Sequence, residues 1–382
     1  YGGAVTLSAS RMDMARSCHF AYFMRYGLKA RERTGAGFDA PQIGTFVHDV
    51  MEHTLRQAKE CGGLHTLSKD KLHALVRASI EEYIDRVLPD LCEKSARFRY
   101  LFNRLCATVE RIMDEVSEEL QSSDFEPLAF ELEFGADGQL PAITIREENG
   151  TARVVGKVDR VDGWLHDGKL YLRVVDYKTG KKSFDLAELR YGLGLQMLLY
   201  LFTLKEEGQM LFGGHEIVPA GVLYTPAREP MLRCARDTEP ETIEKALKKE
   251  LRRSGMVLED PAVLQAMEHS ALESPCYLPI AVKRDGAVTG SLASAEQLGK
   301  LSKYVDHILH EITQEVFAGN IDADPYARTP QQSACTYCEF ASACHFENGC
   351  GSDRMEYIKA TKNDEFWQYI DEVNGEGAHE NG

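Results

Sequence analysis

Two aspartates and a lysine are the residues whose types and spacing suit chemistry. Val175-Asp176-Tyr177-Lys178 sets a carboxylate and an ammonium two positions apart, and Asp159 ends the run Gly156-Lys157-Val158-Asp159. Side chains alternate along an extended strand, so Asp176 and Lys178 share a face. Carboxylates hold a hard cation such as Mg²⁺ (or Mn²⁺), which polarises a phosphoryl oxygen and lowers the pKa of its bound water; a lysine ammonium stabilises developing charge or positions that water. The set suits phosphodiester hydrolysis, and the Tyr177 carbonyl between the two side chains could supply another oxygen ligand. Asp-x-Lys alone recurs by chance, and Asp159 could instead pair with Arg160 or Lys157 on a solvated strand. The Gly-x-x-Asp upstream and a Gln-x-x-x-Tyr downstream make chance the poorer explanation.

That downstream pair is Gln196 and Tyr200, four apart on an expected helix and so on one face of it. They either border the site and guide a strand, or Tyr200 packs in the core. His48, in Gly44-Thr45-Phe46-Val47-His48-Asp49, sits early on a helix among carboxylates, and imidazole is a competent metal ligand. Four cysteines form a second constellation: Cys335, Cys338 and Cys344 cluster, while Cys18 lies near the other end of the chain. If they share one centre, the two ends are stapled together. Thiolates suit both iron–sulfur clusters and zinc, and the spacing leaves both open. Cys350 is a possible substitute ligand; Cys61, Cys92, Cys106, Cys234 and Cys276 show no metal-type spacing.

These residues need elements to position them. Ser8 and Ser10 can cap a helix over 8–30, and further helices are expected over 43–60 and 69–121, where Leu72, Leu75, Val76, Ile80, Tyr83 and Ile84 recur at three-to-four spacing. The period then changes to that of strands: Pro127 to Phe134, Ile143 to Glu147, Thr151 to Trp164 and Lys169 to Asp176, with His166-Asp167-Gly168 as a hairpin turn. A single helix is expected from Asp185 to about Leu204, a strand over Ile217 to Tyr224, a charged helix over 239–253 and a long helix over 293–317 ending at Gly319. Residues 254–290 are weakly patterned and the tail from 351 is acidic and polar towards its end. The sum is one composite α/β domain: a helical segment 1–120 carrying Cys18 and His48, a core 121–230, and a helical segment 231–382 carrying the three-cysteine group.

Composition narrows the class. At 382 residues and 43% hydrophobic, the chain can bury a large core. No stretch approaches the roughly 20 apolar residues of a membrane span. The opening Tyr1-Gly2-Gly3-Ala4 has neither an initiator Met nor a signal-peptide layout and reads as a cut. Ten cysteines without a secretory signal point to a reducing compartment, hence the cytoplasm. A formal charge of −16 excludes coating of nucleic acid by bulk electrostatics, so any DNA path must be a local basic groove. One candidate is the segment from Arg11 to Arg33, where Arg11, Arg16, Arg25, Lys29, Arg31 and Arg33 interleave with Phe20, Tyr22, Phe23 and Tyr26; a solvated basic helix face explains it equally well.

Taken in order, these pieces resemble the RecB-like branch of the PD-(D/E)XK nucleases, and within it the AddB-type nuclease domain. They are Leu7-Ser8-Ala9-Ser10-Arg11 with Cys18 and Tyr22 to Leu28, Gly44 to His48, Gly156 to Asp162, Val174 to Gly180, Gln196 to Tyr200, and Cys335-Thr336-Tyr337-Cys338 with Cys344. The resemblance spans almost the whole chain. It implies a restriction-endonuclease-like mixed β-sheet flanked by helices, with the N- and C-terminal segments joined by a [4Fe-4S] cluster on Cys18, Cys335, Cys338 and Cys344. It also implies a divalent metal on His48, Asp159, Asp176 and the Tyr177 carbonyl, Lys178 acting on the water, and Gln196 and Tyr200 completing the site. The activity implied is that of a metal-dependent exonuclease cutting single-stranded DNA ends in double-strand-break repair. No phosphate-binding loop is present, the nearest piece being Thr179-Gly180-Lys181-Lys182, so an AddA-like helicase–nuclease partner would deliver the DNA. Two other readings stay open: a non-catalytic DNA-binding scaffold that keeps the fold, and a stand-alone RecB-like exonuclease.

Overall fold

The computed structural model describes residues 3–31, 40–351 and 353–380; Glu32 and Arg33 of the basic segment lie outside the described residues. The first strand, β1 (Ala4–Leu7), was not expected from its short sequence. It leads into α1 (Ala9–Ser17) and α2 (His19–Tyr22), which a π-turn over Phe23–Gly27 extends. The single helix expected over 8–30 is therefore divided. Cys18 has extended backbone, φ −174° and ψ 121°, and is both the end of α1 and the start of α2.

Three longer helices follow: α3 (Ala40–Glu60), α4 (Lys69–Val87) and α5 (Ala96–Gln121). Ser68 and Ser95 cap the last two, each accepting a backbone N–H three residues on. On α5 the stripe Phe102, Val109, Ile112, Met113, Val116 and Leu120 is buried, as an amphipathic helix against a core requires.

The strands continue with β2 (Glu126–Phe134), β3 (Ile143–Glu147), β4 (Gly150–Val154), β5 (Gly156–His166) and β6 (Lys169–Lys178). Here a second expectation is corrected. Thr151 to Trp164 is not one strand; the chain changes sheets at Val155, whose N–H donates to Leu7. β4 pairs with β1 and β3 in a small sheet, whereas β5 enters the main one. Asp167 and Gly168, with φ 49° and 78°, make the expected tight turn between β5 and β6.

After β6 come α6 (Leu186–Arg190), α7 (Gln196–Glu207) and β7 (Glu216–Pro226). The helix expected from Asp185 to Leu204 is split here, because Gly192 and Gly194 take φ of 72° and 68°, values no helix accommodates. β7 pairs parallel with β6, so the chain between them must cross over, and α7 makes that crossover with every side chain from Met197 to Leu204 buried. α8 (Pro240–Glu250), β8 (Ser254–Leu258), α9 (Pro261–Met267) and α10 (Ala295–Ala318) follow. Gly319, at φ 73°, ends α10 as expected. The main sheet is mixed, in the order Leu292–Ala293, β8, β7, β6, β5, β2. The tail is not all solvated: in the helix Asn363–Glu380, Phe366, Trp367 and Ile370 are buried, and the helix packs on α10. One hydrophobic core runs from Leu7 to Ile370 and takes residues from all three expected segments.

Candidate active site

The β5–β6 hairpin brings the acids together. Its register pairs Arg160 with Val175, so the next step sets Asp159 beside Asp176, and Asp159 Oδ2 accepts the Tyr177 N–H at 2.9 Å. His48 arrives from α3. Its Nε2–H donates to the Tyr177 carbonyl (2.9 Å), and its Nδ1 lies 3.3 Å from Asp159 Oδ1. Lys178 places its Nζ 2.7 Å from Asp176 Oδ2, but at an angle that leaves this buried oxygen without a hydrogen bond. Asp159, Asp176, Tyr177, Lys178 and His48 are thus gathered at one end of the hairpin.

The electrostatics suit a cation site. Burial, and then the charge of Asp159, push the Asp176 carboxyl up to about 6, although the Lys178 ammonium pulls the other way. Burial disfavours charge on His48, but its hydrogen bond to Asp159 and the surrounding negative charge outweigh this and raise its pKa. A buried and a half-buried carboxylate side by side have the donor chemistry of a hard divalent cation.

Glu131 of β2 does not stand out in the sequence. Its carboxylate, with His48 and Asp159, offers donor atoms within 4.8 Å of one another; Asp176 is not one of that trio. Glu131 lies between Phe130 and Leu132, which pair with Arg160 and Val158 of β5, and so stands opposite Asp159. The signal was available in the pairing of two expected strands, but single-strand alternation does not reveal it.

Gln196 and Tyr200 stay together, the Gln196 amide donating to the Tyr200 hydroxyl at 3.3 Å. Both line a groove of about 550 Å³ with Ser8, Ser10, Gly156 and Lys157. The Tyr200 ring is buried edge-on against Phe134, centroids 5.2 Å apart, so this residue is both a core ring and a groove wall. Gly156 fits beneath them for lack of a side chain: a Cβ there would sit 2.6 Å from the Tyr200 ring and 2.5 Å from Phe134.

The basic segment is largely engaged internally. Arg16 pairs with Glu311 and Glu315 of α10, Arg25 with Glu339 (2.6 Å), and Arg11 lies over the Tyr26 ring. Lys29 and Arg31 are exposed. His19 bonds Asp324 through its backbone N–H (2.9 Å) and its ring (2.6 Å). The N-terminal helices are therefore tied to the segment after α10 by charge as well as packing.

Those ties close around the cysteines. Cys18, Cys335, Cys338 and Cys344 line one cavity of about 170 Å³ with Phe20, Pro325 and Phe346. Burial pushes the Cys18 thiol up to about 11, partly opposed by nearby backbone N–H groups such as that of Ala21. The Phe346 N–H serves Cys344 in the same way. Amides near sulfur suit thiolates bound to a cationic centre, which is what four converging cysteines can hold. Cys350 is exposed and does not line the cavity; the remaining cysteines are free and elsewhere.

Comparison with known proteins gives a consistent result. A family profile described as the PD-(D/E)XK nuclease superfamily matches residues 6–345. The chain is similar to proteins named as a subunit of an ATP-dependent helicase/deoxyribonuclease. It is 31% identical over 382 residues to that of Thermoanaerobacter sp. (strain X514), covering 99% of the chain and 33% of the relative. For Caldanaerobacter subterraneus subsp. tengcongensis the figures are 32% over 387 residues, 100% and 33%, and for Acetivibrio thermocellus 33% over 374 residues, 97% and 32%. The chain spans about a third of the length of these relatives. Among the described residues, no helix is long and apolar enough to cross a membrane.

Proposed function

The chain belongs to the PD-(D/E)XK nuclease superfamily, and on that premise we propose that it is the nuclease domain of an AddB-like helicase–deoxyribonuclease component, hydrolysing DNA phosphodiesters with Mg²⁺ or Mn²⁺. The carrying observation is the convergence of Asp159, Asp176, His48 and Lys178 at one end of the β5–β6 hairpin. Asp159, Asp176, His48 and the Tyr177 carbonyl would hold the divalent ion. When bound, that ion polarises a phosphoryl oxygen and acidifies a water. Lys178, ion-paired with Asp176 and 31% exposed, reaches from the buried acid towards solvent, where its ammonium orients the attacking water and offsets charge on the phosphorane-like transition state. Gln196 and Tyr200 border the groove along which a strand reaches the acids.

The substrate in this reading is a single-stranded DNA end, cut exonucleolytically in double-strand-break repair and delivered by an AddA-like helicase–nuclease partner in the cytoplasm. Residues 1–120, 121–230 and 231–382 are its helical entry, catalytic core and cysteine-bearing closure. The four cysteines fit a [4Fe-4S] cluster, on the one cavity they share and the backbone N–H groups near Cys18 and Cys344. Its role is structural, holding α1 and α2 to the C-terminal segment. A brown sample with broad visible absorption supports the cluster; a colourless one with stoichiometric zinc excludes it.

The catalytic reading is tested with Asp176→Ala, which should abolish Mg²⁺-dependent cleavage of single-stranded DNA, by a factor of about 10³ or more if the metal is lost. Cleavage at the rate of the unmutated chain would remove the assignment. A chain that cleaves with neither Mg²⁺ nor Mn²⁺ would instead be a binding scaffold.

A further inference from the structure

Glu131 sits in the middle of β2 with φ 49°, a region that costs a side-chain-bearing residue on the order of 1–3 kcal/mol. Its neighbours Phe130 and Leu132 keep their register against β5, so the strain is confined to the one residue that stands opposite Asp159. The carboxylate is only 10% exposed, with Oε1 4.0 Å from His48 Nδ1. Its other oxygen is ion-paired with the ammonium of Lys157, a residue whose side chain is half-exposed. A strained backbone that holds a shielded carboxylate beside His48 and Asp159, neutralised by a half-exposed lysine, is arranged to receive a cation.

We propose that Glu131 is a further ligand of the divalent-metal site, and that Lys157, ion-paired with it, competes with the metal for its carboxylate. The inference rests on the nuclease reading above. Hard divalent cations gain affinity with each anionic oxygen they meet, so Glu131 adds to the set already formed by His48 and Asp159. Lys157 competes for the same oxygens. Metal entry therefore breaks the Glu131–Lys157 pair, and the lysine lowers the affinity that the acids alone would give.

Calorimetric titration of the metal-free chain with Mn²⁺ reads this directly, with thermal melts to show that each variant is folded. Glu131→Gln should weaken binding by about tenfold or more, and Lys157→Gln should tighten it several-fold because the competitor is gone. Glu126→Gln removes an exposed charge from the far end of the same strand, opposite Gly163, and should leave affinity within about twofold, as a distant surface charge does under screening. Unchanged affinity in Glu131→Gln, weaker binding in Lys157→Gln, or equal weakening by Glu126→Gln would each overturn the proposal. Lys157→Gln lies on the surface and keeps the test decisive if Glu131→Gln fails to fold. Asp176→Asn separates the two levels: if it too binds Mn²⁺ as the unmutated chain does, the metal-site reading itself is wrong.

Discussion

The Arg160 guanidinium donates to the Tyr177 hydroxyl at 2.6 Å, joining the residue after Asp159 to the residue after Asp176. The same arginine pairs with Asp162 (2.8 Å), which also holds Arg173 (2.9 Å); Arg173 approaches Glu119 of α5 (3.3 Å), and Glu119 receives Arg253 (2.6 Å). All five charged side chains are at most 2% exposed. A buried network with partners for its charges fixes geometry, whereas one with a member missing leaves a charge stranded. Its place next to both aspartates makes it the rigid backing of the site.

Tyr177→Phe removes only the hydroxyl from that backing. The loss should cost about 1–3 kcal/mol, the penalty for a buried donor deprived of its acceptor. Urea unfolding measures it, and cleavage should fall in parallel. Unchanged stability would show that Arg160 is satisfied by Asp162 and Glu119 alone.

Glu119 gives the network a pH signature. Burial by itself would raise its pKa, but Arg253, Arg173 and Arg160 more than offset this and hold it near 2, below the ordinary 4.5. A depressed carboxylate stabilises the fold above its unfolded pKa, and that contribution disappears as pH falls through its folded value. Glu119→Gln should therefore be less stable than the unmutated chain by about 3–5 kcal/mol near neutrality, and the gap should narrow as pH falls from 4.5 towards 2. A gap that stays constant down to pH 3 would mean that Glu119 is not charged in the folded protein.

The cysteine cavity separates ligands from bystanders. Cys338→Ala should bleach the visible absorption and lower the melting temperature, while Cys350→Ala, exposed and away from the cavity, should do neither. Colour lost in both variants, or in neither, contradicts the ligand set.

Gly156→Ala tests the groove floor. The added Cβ would meet Phe134 and Tyr200 at 2.5 and 2.6 Å, so both rings must move. Overpacking of this kind costs about 1–3 kcal/mol, and the displaced Tyr200 should impair cleavage of single-stranded DNA more than it impairs Mn²⁺ binding. Equal effects on both would place Tyr200 in the core alone.

Much of the site was legible because its signals are local. Strand alternation places Asp176 and Lys178 on one face, and the hairpin turn at Asp167-Gly168 brings Asp159 across from them. What escaped depends on partners distant in sequence. Glu131 acquires meaning only from its position opposite Asp159, with a backbone twist that no propensity encodes. Arg253, beside the weakly patterned residues 254–290, has its role fixed by Glu119 of α5. The break at Cys18 and the split at Gly192 and Gly194 interrupted runs that looked helical, since one extended residue or two left-handed glycines outweigh the propensity of their neighbours. The final helix was not read because Phe366, Trp367 and Ile370 form a short apolar group in a polar, acidic stretch and find α10 only in the fold.

The first strand sets how the domain bears load. β1 runs parallel to β4, with Ala4, Val5, Thr6 and Leu7 matched in order to Thr151, Ala152, Arg153 and Val154. Tension applied along that strand stresses its evenly spaced hydrogen bonds together, in shear, instead of opening them one after another as a peeled hairpin does. A pull on the chain upstream of Ala4 is thus resisted by four residues acting at once and passed through β4 into β5, the strand that carries Asp159.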